Sequence, residues 1–487
     1  MRSLHNIALI FSFIVITKSD QKCRERDLGI EGRSITRDPP DASSYVAYTT
    51  TRAGKRFEKS NGRIQAFSRL QKELNDFNRN EENENEGPFW TRTTLVLNQN
   101  NRYQTIHGFG GSVTDAAAYN WNKLSERTKH NFISSYFGED GLEYNLIRTP
   151  IGGADFSTHP YTYNEYPWND AALTNFTFTY EDLFLKIPMI KYIQRVSKQE
   201  VKVMASTWSP PVWMKTNEHI TGFSQLKPEF YQSFADYHVK FMELYEKAEI
   251  DIWALTTTNE PINGIIPFVT FNSLGWFPAE MMENADSDSI KYIDGIAVHY
   301  YGNFAPATIF DELQNRYNKI LLATEACEGP MPWDVMRVKL GSWERAHRYT
   351  KNIIEDLNHH VTGWIDWNLC LDERGGPNWA YNFVDAPIMV IPERDEFIKQ
   401  PMFYAMGHFS KFIPRGSQRI SVTYPFLEFG RIDNVAFRTP QGNIVLVLHN
   451  SNTFEMDVRI NVDAIRHITI KVEAESIITM EINTRLF

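Results

Sequence analysis

The sequence predicts an α/β protein: a TIM-type (β/α)8 barrel, short of about one βα unit, with an all-β sandwich as side domain. Three observations predict it. From Tyr103 to about Ile413, short apolar strand-like runs alternate with amphipathic helical stretches, which is the pattern of a parallel sheet covered by helices. After residue 415 the helical signal stops, and six short alternating runs follow one another closely, as in a sandwich. Two barrel runs, "DIWALTTTNEP" and "KILLATEAC", each deliver a glutamate at the end of an apolar segment, Glu260 and Glu325. The loops after the strands are where such a barrel builds its site.

Taken in order, residues 1–19 read as a secretory signal. Arg2 supplies positive charge, "IALIFSFIVI" (7–16) an apolar core and "TKSDQK" a polar flank, with cleavage expected near Ser19. Ten apolar residues are too few to span a bilayer, so the mature chain is expected to be soluble in the secretory pathway. Residues 20–43 form an N-terminal segment. Residues 44–102 hold β-like runs, "SYVAYTTT" and "RTTLVLNQ", interrupted by the very polar "NRNEENENEG" (78–87), which reads as an exposed or disordered insert. With 415–487 they are expected to complete the sandwich.

The barrel domain is expected over 103–414. Its strand candidates are "YQTIHGFGG", "EYNLIRTP", "VKVMAST", "DIWALTTT", "IDGIAVHYY", "ILLATE" and "VTGWIDWNL"; helices such as "RTKHNFISSYF", "PEFYQSFADYHVKFMELYEKA" and "ERAHRYTKNIIEDLNHH" separate them. "HGFGGS" has a phosphate loop's glycines without its lysine or spacing, and reads as a tight strand-to-loop turn.

Composition removes several function classes. A formal charge of −10 argues against nucleic acid, which demands basic patches. No histidine or cysteine cluster has metal-ligand spacing, so neither metal nor cofactor is expected. Cys23, Cys327 and Cys370 are an odd set that implies no complete disulfide framework; the last two sit in apolar contexts where cysteine acts as a small hydrophobe. The sequon Asn175-Phe176-Thr177 lies in a polar stretch and marks Asn175 as a surface glycosylation candidate.

Two strand-end carboxylates are the minimum equipment for cutting a glycosidic bond. A single strand-end glutamate is more often solvated or salt-bridged; Asn-Glu-Pro after one strand and a second glutamate two strand signals later make a more specific pattern. Buried tryptophans such as Trp208 are more often core than ligand. Asp155 serves as well to cap a loop, and Arg148 as a structural ion-pair partner. His299 and Tyr301, two apart on a strand, can point inward together.

At "GFGGSVTDAAA", "YNLIRTPIGGADFS", "WSPPVWMKTN", "TNEP", "DGIAVHYY", "TEAC", "VTGWIDWNL", "GGPNWAYNFVDAPI" and "GHFSKFIPRGSQR" the chain resembles the glucosylceramidases (glucocerebrosidases) of glycoside hydrolase family 30. The likeness runs from about Tyr45 to the C-terminus. It implies a retaining β-glucosidase that hydrolyses glucosylceramide to glucose and ceramide, with Glu260 as acid/base and Glu325 as nucleophile. It implies Asp155, Trp208, Asn259, Trp367 and Asn382 as ligands of the sugar hydroxyls, and Arg148, His299 and Tyr301 as residues around the carboxylates. The implied setting is the lysosomal lumen or the extracellular space. The implied partners are a β-glucoside, an anionic lipid surface and a saposin-like activator protein. Physically, Arg148 and Tyr301 would favour an ionised Glu325, as attack on the anomeric carbon requires. Readings on a sterol or non-lipid glucoside, or as a catalytically impaired paralogue or truncated isoform that binds without turnover, stay open.

Three features depart from that family. Its cysteine-rich N-terminal segment is mostly absent, and Tyr300 stands where tryptophan is usual. The third is spacing. A barrel of about 250 residues spends about 31 per βα unit, so glutamates after strands four and seven should lie ~95 apart; Glu260 and Glu325 are 65 apart. The shortfall falls before His299, and "IIPFVTF" reads as a loop. The expectation is a barrel left open, closed by seven strands, or patched by 262–290, with the glutamates too far apart for retention and activity weak or absent.

Overall fold

Eight strands close a barrel: β1 Phe11–Ile16, β2 Gly108–Ser112, β3 Leu146–Ile151, β4 Lys202–Thr207, β5 Ile252–Thr256, β6 Gly295–His299, β7 Ile320–Glu325 and β8 Val361–Asn368. The structure, a computed structural model, describes residues 11–16, 40–41, 43–67, 88–260, 290–302, 306–331, 334–425 and 430–484. The cleavage position, Cys23, the polar insert at 78–87 and the segment 262–289 lie outside them. Around the barrel the order is β1–β6–β7–β8–β2–β3–β4–β5, returning to β1.

The seam expected to stay open is filled from an unexpected place. Neither a seven-stranded closure nor a gap is found. β1, within the run read as a signal core, lies between β5 and β6 and is antiparallel to both, whereas the other neighbouring pairs are parallel. Its register sets Phe11 opposite Val298, Ile14 opposite both Gly295 and Thr256, and Ile16 opposite Ala254. The reason is hydrogen bonding: two barrel edges without a neighbour would bury unpaired N–H and C=O groups, and β1 satisfies both. Ile14 is fully buried, in one apolar cluster with Leu146, Met204, Trp253, Ala254, Ala297, Leu322 and Ile365 from six other strands.

The glycine run also differs from its reading. "GFGGS" is not a turn but strand β2, buried along its whole length. A Cβ at Gly110 would collide with the Leu146 carbonyl oxygen of the neighbouring strand, so the glycine is required by close approach. The candidate "YQTIHGFGG" divides in two: Thr105 ends a sandwich strand opposite Gln418, and Gly108 begins β2 opposite Gly363.

Helices follow the strands where periodicity places them. α1 (Asp115–Asn122) is capped by Thr114 and α2 (Glu126–Phe137) by Ser125, each hydroxyl accepting from the backbone three residues on. α3 (Ile187–Val196) continues directly from a π-helical turn at Asp182–Lys186. α4 (Tyr231–Lys247) buries Tyr237, Phe241 and Tyr245 at helical spacing. α5 (Thr308–Tyr317) leads into β7.

The chain divides into two compact units. One contains Gly108–Ser342 and His359–Gln400 with β1; the other contains the strands before His107, the helix α6 (Trp343–Asn358) and everything from Pro401 on, including α7 (Pro401–Ser410). Helix α6 sits inside the barrel's sequence but packs within the sandwich unit, where His347 reaches His449. The sandwich is one ten-stranded ladder folded over a shared core. Its strands Ser44–Thr51, Arg92–Thr105, Ile444–Asn450, Met456–Asn461 and Ser476–Ile482 all contribute to a single apolar cluster. All six β-runs read after residue 415 are strands.

Candidate active site

Apart from Arg148, the third of six residues in its strand, every predicted site residue of the barrel lies at or after the C-terminal half of a parallel strand. Arg148 is within β3, and Asp155 follows that strand; Trp208 comes one residue after β4, and Asn259 and Glu260 follow β5. His299 ends β6, with Tyr301 just beyond; Glu325 ends β7, Trp367 lies in β8 and Asn382 in the loop after it. Antiparallel β1 supplies none of them. Placement within or after the parallel strands therefore gathers side chains scattered over more than 230 positions of sequence.

Arg148 organises the centre. Fully buried, it donates from Nη1 to Glu325 Oε2 at 2.5 Å and from Nη2 to Asn259 Oδ1 at 2.6 Å. Both are charge-assisted bonds, and the rigid planar fork of the guanidinium fixes the two acceptors relative to each other. Its charge also lies 5.0 Å from the Trp208 ring centre and 5.3 Å from that of Trp367, within cation–π range. These two indoles stack on each other, centroids 5.0 Å apart and 16° from parallel. With its carbonyl taken by Arg148, Asn259 has its amide donors left to offer a ligand.

Around the glutamates, His299 Nδ1 is 2.8 Å from Glu260 Oε1 and 3.9 Å from Glu325 Oε1. Burial pushes the His299 imidazole down to about 4, outweighing the upward pull of Glu325; the Arg148 charge pushes the same way as burial. The ring is thus neutral, able to donate to an ionised Glu260 or accept from a protonated one. Tyr301 donates to Glu325 Oε1 at 3.0 Å, and burial lifts its phenol well above the usual range, so it keeps the proton it donates. Glu260 itself has φ +43°, a left-handed conformation that costs a non-glycine residue about 1–3 kcal/mol and tends to mark functional positions.

One oxygen of Glu260, one of Glu325 and a ring nitrogen of His299 all lie within 4.8 Å of one another. This is the retaining end of the scale, ~5–5.5 Å between carboxyl groups against ~6.5–9.5 Å for inversion. The expected over-wide separation is therefore corrected: the closed barrel holds the two strand ends together. Three such atoms are near enough to clasp a cation, but the Arg148 guanidinium already faces Glu325.

Asp155 and Asn382 also meet. Asp155 Oδ2 accepts from Asn382 Nδ2 at 3.3 Å and from Asn378 Nδ2 at 3.4 Å. Burial, with help from Glu325, pushes the Asp155 carboxyl up to about 7 against those two bonds. Asn378 escaped the sequence reading, although it sits in the same "GGPNWAYN" stretch. Cys327 escaped too, its apolar setting giving no hint that its sulfur lies 3.0 Å from the Tyr301 hydroxyl. Asn175 is exposed, its amide donating to the Tyr166 carbonyl at 2.8 Å.

Residues 106–285 and 279–413 match the glycosyl hydrolase family 30 TIM-barrel domain, and residues 416–480 match that family's beta sandwich domain. The chain belongs to glycosyl hydrolase family 30. The two barrel stretches meet at 279–285, inside the segment where the spacing runs short. Among family relatives, the chain is 37% identical to the lysosomal acid glucosylceramidase of Mus musculus, over 87% of this chain and 86% of that one. It is 39% identical to putative glucosylceramidase 3 of Caenorhabditis elegans, over 74% and 78%. The crystal structure of SrfJ from salmonella typhimurium superposes with a TM-score of 0.76 at 25% identity, covering 91% of this chain and all of that one. Among the described residues no helix is long and apolar enough to cross a membrane.

Proposed function

We propose that this family 30 hydrolase is a retaining β-glucosidase acting on glucosylceramide by double displacement. The carrying observation is that Glu260 and Glu325 present oxygens within 4.8 Å. Glu325, its charge stabilised by Arg148 and Tyr301, attacks the anomeric carbon while Glu260 protonates the departing oxygen. A glucosyl–Glu325 ester forms, and the aglycone leaves as its alcohol. Glu260, now ionised, takes a proton from water, which breaks the ester and releases glucose with its configuration kept. Asn259, next to Glu260 in the chain and joined to Glu325 through Arg148, suits the 2-hydroxyl, where a hydrogen bond strengthens in the transition state. Asp155 with Asn382, and the Trp208–Trp367 stack, suit the remaining hydroxyls and the ring.

The ceramide aglycone rests on the relatives' names and on no feature of the site itself. A secretory route to the lysosomal lumen or outside the cell, a glycan on Asn175, and association with an anionic lipid surface and a saposin-like activator belong to the same proposal. The test combines a fluorogenic β-glucoside, glucosylceramide in vesicles and a soluble β-1,6-glucan. Turnover of the first two with retained configuration is expected, together with labelling of Glu325 by a glucoside epoxide. Labelling of another carboxylate, or turnover of the glucan alone, would overturn the reading. Glu260→Gln should slow substrates with poor leaving groups far more than activated ones.

A further inference from the structure

We propose that Cys327 is a positioning residue for this reaction: its thiol donates to the Tyr301 hydroxyl and thereby aims the phenol's single proton at Glu325. The proposal rests on the glucosidase reading only for its kinetic consequence. The geometry is a short chain. Tyr301 Oη lies 3.0 Å from Glu325 Oε1 and 3.0 Å from Cys327 Sγ. Cys327 is buried with Trp367, Phe156, Ala116 and Ala154 in the apolar layer against which Trp208 and Tyr301 also pack.

A phenol has one proton and two partners here. Its O–H prefers the ring plane, with two in-plane orientations. If it points at sulfur, a weak acceptor, Glu325 loses its phenol bond. If it points at Glu325, sulfur must be the donor, since a thiol has one S–H to offer. Cys327 can play that part because burial holds its thiol well above its usual range, so the S–H stays on. An S–H donated to Tyr301 also polarises the phenol, making it the stronger donor to the carboxylate; hydrogen bonds in such chains reinforce one another. Cys327 touches no reacting atom and acts through Tyr301 alone. The other described cysteine, Cys370, points at the Ala117 carbonyl at 3.4 Å and provides an internal reference thiol.

Two independent readouts test this. The first is the S–H stretching band, seen by infrared difference between the wild type and Cys327→Ser. A donating Cys327 gives a band displaced to low wavenumber, and Tyr301→Phe should move it back toward the free-thiol position. A band unchanged by Tyr301→Phe would overturn the proposal whether or not the enzyme turns over. The second readout is kinetic. Cys327→Ala should lower kcat for a fluorogenic β-glucoside by about three- to tenfold, the scale of one hydrogen bond, with KM nearly unchanged. Cys327→Ser, which keeps a donor, should recover most of it. A serine variant as slow as the alanine one would show that packing, not donation, is at stake. If the wild type itself shows no turnover, the glucosidase reading fails, and the infrared arm decides the relay alone.

Discussion

Ile14 is the most informative residue to perturb, because it tests whether the N-terminal strand closes the barrel. It is fully buried and shares its cluster with side chains of six other strands. Ile14→Ala removes three carbons from that centre and should cost about 2–5 kcal/mol, whereas Ile14→Val should cost about 0.5–1.5 kcal/mol. Removing residues 1–19, as signal cleavage would, should be far worse. β1 pairs with four residues of β6 and three of β5. Each buried group left unpaired costs about 1–3 kcal/mol, so a few exhaust a typical margin of about 5–15 kcal/mol. The assay is chemical denaturation of the full chain, both Ile14 variants and the 20–487 chain, beside N-terminal sequencing of the active secreted protein. The reasoning predicts a graded loss and an active form that retains Phe11–Ile16. An Ile14→Ala variant within a few tenths of a kcal/mol of wild type, or an equally stable 20–487 chain, would refute it.

Arg148→Met should abolish turnover and destabilise by about 3–5 kcal/mol, because it strands the buried Glu325 charge; adding Glu325→Gln should return much of the stability in denaturant melts and none of the activity. His408 is buried between Thr50 and Thr479, and burial pushes it down to about 3. Below its unfolded value of ~6.5 the unfolded chain takes up a proton the native state refuses, so stability falls as pH drops from ~6.5 toward 3. Between pH 7 and 5 this amounts to about 2 kcal/mol, and His408→Gln should flatten that part of a stability–pH curve. Charging all 13 histidines would carry the net charge from −10 to +3, but His299 and His408, at about 4 and 3, stay neutral near pH 5 and hold the ceiling at +1, before carboxylates are counted. Co-sedimentation with anionic vesicles should still rise on acidification as repulsion weakens; equal binding at neutral and acid pH would refute that.

The sequence by itself determined what is local or periodic. Alternating apolar runs specify strands because side chains on a strand alternate in direction, so all six late β-runs and the seven parallel strands of the barrel are legible, as are the strand-end glutamates Glu260 and Glu325; the residues around them, from Arg148 to Trp367, are legible through the family resemblance. It also showed a deficit of chain between Glu260 and His299. Only the tertiary structure decided how that deficit is met, since strand pairing is blind to distance along the chain: residues 11–16, apolar enough for a signal, are equally apolar enough for a barrel wall. The same blindness hid Asn378 beside Asp155 and Cys327 beside Tyr301, contacts made by side chains converging from different strand ends. It likewise hid that helix α6, amphipathic like its neighbours, packs within the sandwich unit. Periodicity says that a face is buried; only packing says against what.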